Sequence, residues 1–371
     1  MCVLLVIPGG KQKGMRASIS RRARRGLALV LLALSLPQTG SPRAGDDASK
    51  TPAPPGRLVD VGGWRLHLNC TGGNKRRGPA VVFESGSGDF SFDWSLVQPG
   101  VARFARVCSY DRAGNAWSDP GPRPRTMKQI AYELHAALAR AGVRGPYVLV
   151  GQSFGGLLVR TFAGLYPKEV AGMVLVDSTH EDTQLWINGT VRRVREMSQG
   201  RAVPPVQTAI PAADRALSPE ERRQIEDFLK QIGPPKIEPP FNQLPLDVQR
   251  VRLWALARPE HYAADNDPYW GEEFAEMYAA RKTREHPLGD IPLVVLSRGK
   301  NEYPDTEEGR RLAEDQKRMQ LDLLKLSRDS KQIVATTSGH HIQLDAPGLV
   351  IDAVRQVVDA ARRRARLAPP R

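Results

Sequence analysis

From Arg57 onward the chain alternates short apolar runs with segments of helical spacing, and few architectures accommodate that order. A parallel strand needs a crossover connection to reach its neighbour, and a helix is the usual one. Ala80–Glu84, Arg106–Tyr110, Tyr147–Val150, Gly172–Val176, Ile291–Leu296 and Gln332–Thr336 read as buried strands. Helices are expected over Thr126–Ala141, Phe154–Tyr166, Thr306–Ser327 and Pro347–Arg362, the first with Ile130, Leu134 and Leu138 on one face. Ahead of them Arg57–Val61 and Trp64–Asn69 flank Gly62-Gly63 and read as a hairpin. The expected fold class is therefore α/β with a mostly parallel sheet.

The pattern breaks between residues 180 and 287. Buried strands stop there, and three helical segments, Pro219–Ile232, Leu246–Ala257 and Glu272–Thr283, are joined by Pro-rich stretches. We read residues 57–179 and 288–362 as two parts of one core, 180–287 as a helical insertion, and 363–371 as a basic tail. The insertion is rich in aromatics (Trp186, Trp254, Tyr262, Tyr269, Trp270, Phe274, Tyr278). Helix packing accounts for such residues as readily as a substrate pocket does, so none is assigned to substrate.

Residues 1–56 read as an export leader and flexible linker. An Arg-rich stretch, Arg16 to Arg25, precedes the apolar run Leu27 to Leu36. That run is too short for a bilayer span, which takes ~20 apolar residues. The linker reading rests on the Pro, Gly, Ser and Asp between Gly40 and Gly56. An exported protein, periplasmic or secreted, is expected, touching a membrane only through the leader if that is uncleaved.

The formal charge of +14 raises the question of nucleic acid, and its distribution answers it. Eight basic and no acidic residues lie in 1–45 and five arginines in 362–371, which leaves about +1 for everything between. The body has no basic face for phosphates, so nucleic-acid binding is not expected. Cys70 and Cys108 lack the spacing of a zinc site, and no metal or cofactor is implied.

The chemistry centres on Gly151-Gln152-Ser153-Phe154-Gly155, set between a strand and a helix. In that context G-x-S-x-G is a nucleophile elbow, whose tight turn needs glycine on both sides of the serine. A serine hydroxyl needs a base. Of seven histidines, His340 and His341 follow Gly339, after the last strand, where a loop rises at the C-terminal edge of the sheet.

Four features together carry a family resemblance: Phe83-Glu84-Ser85-Gly86-Ser87-Gly88, Tyr110-Asp111-Arg112-Ala113-Gly114-Asn115-Ala116-Trp117-Ser118, the Gly151–Gly155 elbow, and Gly339-His340 followed by Asp345 and Pro347. From about Arg57 to Ala361 the chain resembles the α/β-hydrolase superfamily in its branch with an inserted helical cap. The resemblance implies an eight-stranded sheet with helices on both faces, Ser153 as nucleophile and His340 as base. For the acid it offers two positions, Asp177 and Glu302. Asp177 is favoured because it ends a strand, whereas Glu302 sits in a polar loop. The resemblance also implies an oxyanion hole from the backbone N–H groups of Ser87 and Phe154, although Ser85-Gly86 stands where the family has histidine and glycine. It makes the second and fourth strands neighbours, and so suggests a Cys70–Cys108 disulfide.

Serine at the elbow argues against the haloalkane dehalogenase and epoxide hydrolase members, which need a carboxylate there. The expected activity is hydrolysis of a small carboxylic ester or lactone through an acyl-enzyme. Amide or peptide hydrolysis on the same triad and a non-catalytic ligand-binding role stand as alternatives.

Overall fold

The computed structural model describes residues 51–73, 78–187, 190–265 and 267–367. Residues 1–50 of the segment read as export leader and linker therefore lie outside the described residues. In chain order the elements are strands β1 (Arg57–Asp60), β2 (Arg65–Thr71) and β3 (Ala80–Glu84), helix α1 (Gln98–Ala102), β4 (Val107–Tyr110), α2 (Met127–Arg140), β5 (Tyr147–Gln152), α3 (Gly155–Leu165) and β6 (Val170–Val176). Next come β7 (Gln184–Ile187), β8 (Thr190–Arg193), α4 (Pro219–Ile232), α5 (Leu246–Leu256), α6 (Pro259–Ala264) and α7 (Trp270–Thr283). The chain closes with β9 (Leu293–Arg298), α8 (Glu307–Asp322), β10 (Ser330–Ala335), α9 (Ile342–Asp345) and α10 (Pro347–Arg363).

Eight strands form one sheet in the order β1-β2-β4-β3-β5-β6-β9-β10. The β1–β2 and β2–β4 pairs are antiparallel and the remaining pairs parallel. Successive side chains of a strand point to opposite faces, so a strand covered on both sides reads as an unbroken apolar run. Val82, Leu149, Leu175 and Val295 face one layer, with Leu134, Ala137 and Leu138 of α2 and Val159 and Phe162 of α3. Val81, Val148, Val174 and Val294 face the other, where Val350, Val354, Val357 and Val358 of α10 cover them. Cys70 and Cys108 stand opposite each other on β2 and β4, and their sulfurs are bonded.

Two sequence expectations need correction. Residues 51–56 do not extend free as a linker: the Trp117 indole donates to Pro52 O at 2.7 Å, and Pro55 O meets Nε2 of the buried His67. Composition marks such a stretch as Pro-rich but cannot reveal that its carbonyls find donors on the core. The 180–287 segment also holds a hairpin, β7 with β8, and the short helix α6. The sequence carries a hairpin signal there, Asn188-Gly189 between two β-prone pairs. Among the described residues, no helix is long and apolar enough to cross a membrane.

Leu149 is fully buried in the central strand β5. Leu149→Ala is expected to cost about 2–5 kcal/mol of stability, seen as a lower denaturant midpoint with an unchanged slope.

Candidate active site

Ser153 occupies the turn between β5 and α3 with φ of 51°, a left-handed conformation rare for a residue with a Cβ. The turn is pinned from both sides: Ser153 N–H donates to Val176 O at 3.1 Å, and Ser153 O accepts from Thr179 N–H at 2.9 Å. Gly155 lets helix α3 start directly under the end of β3, because a Cβ there would lie 2.4 Å from Glu84 O and 2.6 Å from Ser85 O. Sequence spacing alone located this elbow.

The candidate acid and the candidate base arrive from separate strand ends. Asp177 follows β6, itself at φ 41°, and His340 lies in the loop between β10 and α9. Asp177 Oδ2 accepts from His340 Nδ1 at 2.6 Å. The Asp177 carboxyl is buried, and burial pushes its pKa up. The hydrogen bond and charge of His340, together with Arg298, outweigh burial and hold it below the usual aspartate range. Arg298 Nε lies 2.9 Å from Asp177 Oδ2, and the Arg298 N–H donates to Oδ1.

Glu302, the other candidate acid, is half-exposed and does not touch the imidazole ring. It accepts from the His340 backbone N–H at 3.1 Å and pairs with Arg298 at 2.5 Å. Glu302 thus holds the loop that carries the histidine, while Asp177 holds the ring. His341 points elsewhere, with Nε2 3.6 Å from Asp89 and its ring against Phe241. Among the described residues Ser153 Oγ makes no hydrogen bond to His340; the ring's Nε2 faces the buried amide of Gln152 at 3.4 Å.

The loop after β3 runs along the elbow. Gly86 is required there, since a Cβ would meet Gln152 Oε1 at 2.3 Å and Ser153 Cβ at 3.2 Å. Arg112, from the motif after β4, is buried behind this loop and pairs with Glu84 at 2.9 Å and Asp265 at 2.9 Å. Burial pushes Glu84 up to about 7, with Arg112 and the Tyr110 hydroxyl opposing. Phe154, at the start of α3, has an N–H that no intrahelical carbonyl can take, and its ring stacks on Trp270 of α7 at 5.3 Å. Trp270 and Phe274 are thus packing residues against the elbow. Trp254 stands 5.6 Å from Trp117.

Sequence reasoning missed Arg298, Gln152 and Asp265. Asp265 carried no signal, because it meets Arg112 across 153 residues of chain. A cleft of about 660 Å³ between β9, α8 and β10 includes Asp177, Arg298, Tyr303 and Gln320, but neither Ser153 nor His340. His180, Glu181 and Asp322 bring possible metal-ligand atoms within 4.8 Å of one another. Arg160 and Arg281 already neutralise those carboxylates, which makes the cluster an ion-pair network.

A model of the alpha/beta hydrolase fold matches residues 79–347. The chain belongs to the α/β-hydrolase family. It is 25% identical to an AB hydrolase superfamily protein of Gibberella zeae over 295 residues, 76% of this chain and 87% of that one. It is 33% identical over 131 residues to efuK of Hormonema carpetanum, a probable transporter, covering 34% of this chain and 19% of that protein. The chain thus spans only about a fifth of the length of the first such relatives it matches. Among solved structures, a thermophilic esterase from Thermogutta terrifontis superposes with a TM-score of 0.51 at 21% identity, over 82% of this chain and 98% of that one. The enol-lactonase of Burkholderia xenovorans LB400 does so at 0.53 and 14%, over 82% and 100%. Identities this low establish the shared hydrolase fold and no more.

Gly155→Ala forces a Cβ onto two carbonyl oxygens of the neighbouring loop. A loss of about 1–3 kcal/mol is expected, measured as a lower thermal midpoint.

Proposed function

We propose that the protein is a serine hydrolase of carboxylic esters or lactones, with Ser153 as nucleophile, His340 as general base and acid, and Asp177 as the orienting acid. The observation that carries this reading is the 2.6 Å contact between Asp177 Oδ2 and His340 Nδ1 beside a serine held at φ 51°. With Nδ1–H tied to Asp177, the neutral ring presents its Nε2 lone pair on the side of the elbow. Ser153 Oγ attacks the carbonyl carbon as His340 takes its proton. The collapse of the tetrahedral intermediate then returns that proton to the departing alkoxide. Water, deprotonated by the same ring, releases the acid and restores Ser153. Backbone N–H groups of Ser87 and Phe154 take the oxyanion. The missing Ser153–His340 hydrogen bond is compatible with this cycle, since such contacts tighten when substrate arrives.

Support for an ester or lactone comes from the site chemistry and from structural neighbours named as an esterase and an enol-lactonase. The reading is tested with p-nitrophenyl esters of increasing acyl length on protein lacking residues 1–45. Ser153→Ala and His340→Ala are each expected to lower kcat/KM by at least about 10⁴-fold. Asp177→Asn should cost about 10⁴-fold by leaving the ring in the wrong tautomer, whereas Glu302→Gln should cost about tenfold or less because Glu302 bonds to the loop backbone and Arg298 and not to the ring. Equal losses at Asp177 and Glu302 would reverse the assignment of the acid. Absence of turnover, with no fluorophosphonate label on Ser153, would favour a ligand-binding role.

We further propose that the body matures in an oxidising compartment outside the cytoplasm. The Cys70–Cys108 bond and the order of residues 16–36 support it. A non-reducing peptide map identical to the reduced one would count against it.

A further inference from the structure

In a trans peptide the C=O and the N–H point in opposite directions. Whatever holds the carbonyls of the loop after β3 therefore aims its N–H groups. Arg112 Nη1 donates to Ser85 O at 2.8 Å and Nη2 to Gly86 O at 2.6 Å. The peptide unit that contains Gly86 O also contains the Ser87 N–H. With its carbonyl drawn to Arg112, that N–H must point away from the guanidinium. Gly86 itself lies against Ser153 Cβ and Gln152.

A guanidinium has five N–H donors in a rigid planar fork, so its own orientation is set by all its partners together. Arg112 uses all five: Nε to Asp265 Oδ1 at 3.0 Å, Nη1 to Glu84 Oε1 at 2.9 Å and Ser85 O, and Nη2 to Asp265 Oδ2 at 2.9 Å and Gly86 O. Asp265 supplies the bidentate half of that set. It also reaches the loop directly, accepting from the Gly88 N–H at 3.0 Å and the Ser87 hydroxyl at 3.2 Å. Asp265 follows α6, inside the 180–287 segment, so this half of the clamp on Arg112 is supplied from outside the core.

We infer that Asp265 is a positioning residue: through Arg112, Ser87 and Gly88 it makes the geometry of the oxyanion loop depend on the seating of the 180–287 segment over the core. With Asp265 in place, the fork is locked and the Ser87 N–H is aimed. With Asp265 withdrawn, Arg112 keeps only Glu84 and the loop carbonyls, and Gly88 loses its acceptor. The oxyanion loop is therefore fully held only while Asp265 is seated on Arg112 and the loop. This inference rests on the serine-hydrolase reading for its catalytic consequence, but the ordering of the loop does not.

The test compares wild type, Asp265→Ala and Asp265→Asn by three measurements on the same samples: ester turnover, amide hydrogen exchange across residues 85–90, and binding of a trifluoromethyl ketone that mimics the tetrahedral adduct beside the matching uncharged ether. Asp265→Ala is expected to lower kcat by about 10²–10³-fold, the cost of losing one oxyanion donor, with KM within about threefold of wild type. Ketone affinity should fall in parallel while ether affinity holds, and exchange across 85–90 should speed at least about tenfold. Asp265→Asn, which keeps one acceptor oxygen and the side-chain volume, should fall between. A merely structural role would lower ketone and ether binding alike, and would overturn the inference. So would kcat and loop exchange within about threefold of wild type. Should Asp265→Ala not fold, Asp265→Asn is judged by the same criteria. If wild type neither turns over nor labels at Ser153, the hydrolase reading fails, and the exchange comparison still decides whether Asp265 orders the loop.

Discussion

A serine at φ 51° lies in a region that costs a residue with a Cβ about 1–3 kcal/mol, and it persists only where the surroundings over-determine it. Here the surroundings are the parallel sheet itself. Val176 O takes the Ser153 N–H, Thr179 N–H binds the Ser153 carbonyl, and α3 presses its first glycine against the carbonyls at the end of β3. Because β3, β5, β6 and β9 are parallel neighbours, their C-terminal ends lie at one edge. Glu84, Ser153, Asp177 and Arg298 meet there, although 214 residues separate the first from the last. The site is a consequence of strand order more than of any local segment.

Around that edge the charges are buried in groups of three, one arginine between two carboxylates. Arg112 with Glu84 and Asp265, and Arg252 with Asp89 and Asp93, each join the 180–287 segment to the core. Removing the arginine from such a group leaves two carboxylates uncompensated in a dry environment, which is far costlier than the group is worth. These clusters are therefore better understood as devices for register than as a source of net stability. They fix where the segment sits and, through Arg112, how the loop beside Ser153 is turned.

The core elements were legible because their signals are local. A strand buried on both faces is a short apolar run, an amphipathic helix repeats its apolar face every 3.6 residues, and the elbow is five consecutive residues. His340 was singled out from His341 by the family resemblance, which Gly339 before it and Asp345 and Pro347 beyond carry. The hairpin of β7 and β8 escaped because its strands are only four residues each, too short for a periodicity to stand out. The docking of residues 51–56 escaped because it depends on Trp117 and His67, which are remote in sequence.

Sequence by itself determined the α/β architecture, which follows from periodicity, and offered Ser153 from the spacing of its elbow and His340 from the family resemblance as candidates. It left the acid open between Asp177 and Glu302, and only the tertiary structure put Asp177 on the imidazole and Glu302 on the histidine's backbone. It carried no trace of the Arg112–Asp265 link. A contact of that kind is decided by how two distant segments pack, and packing distance is not encoded in the spacing of residues along the chain.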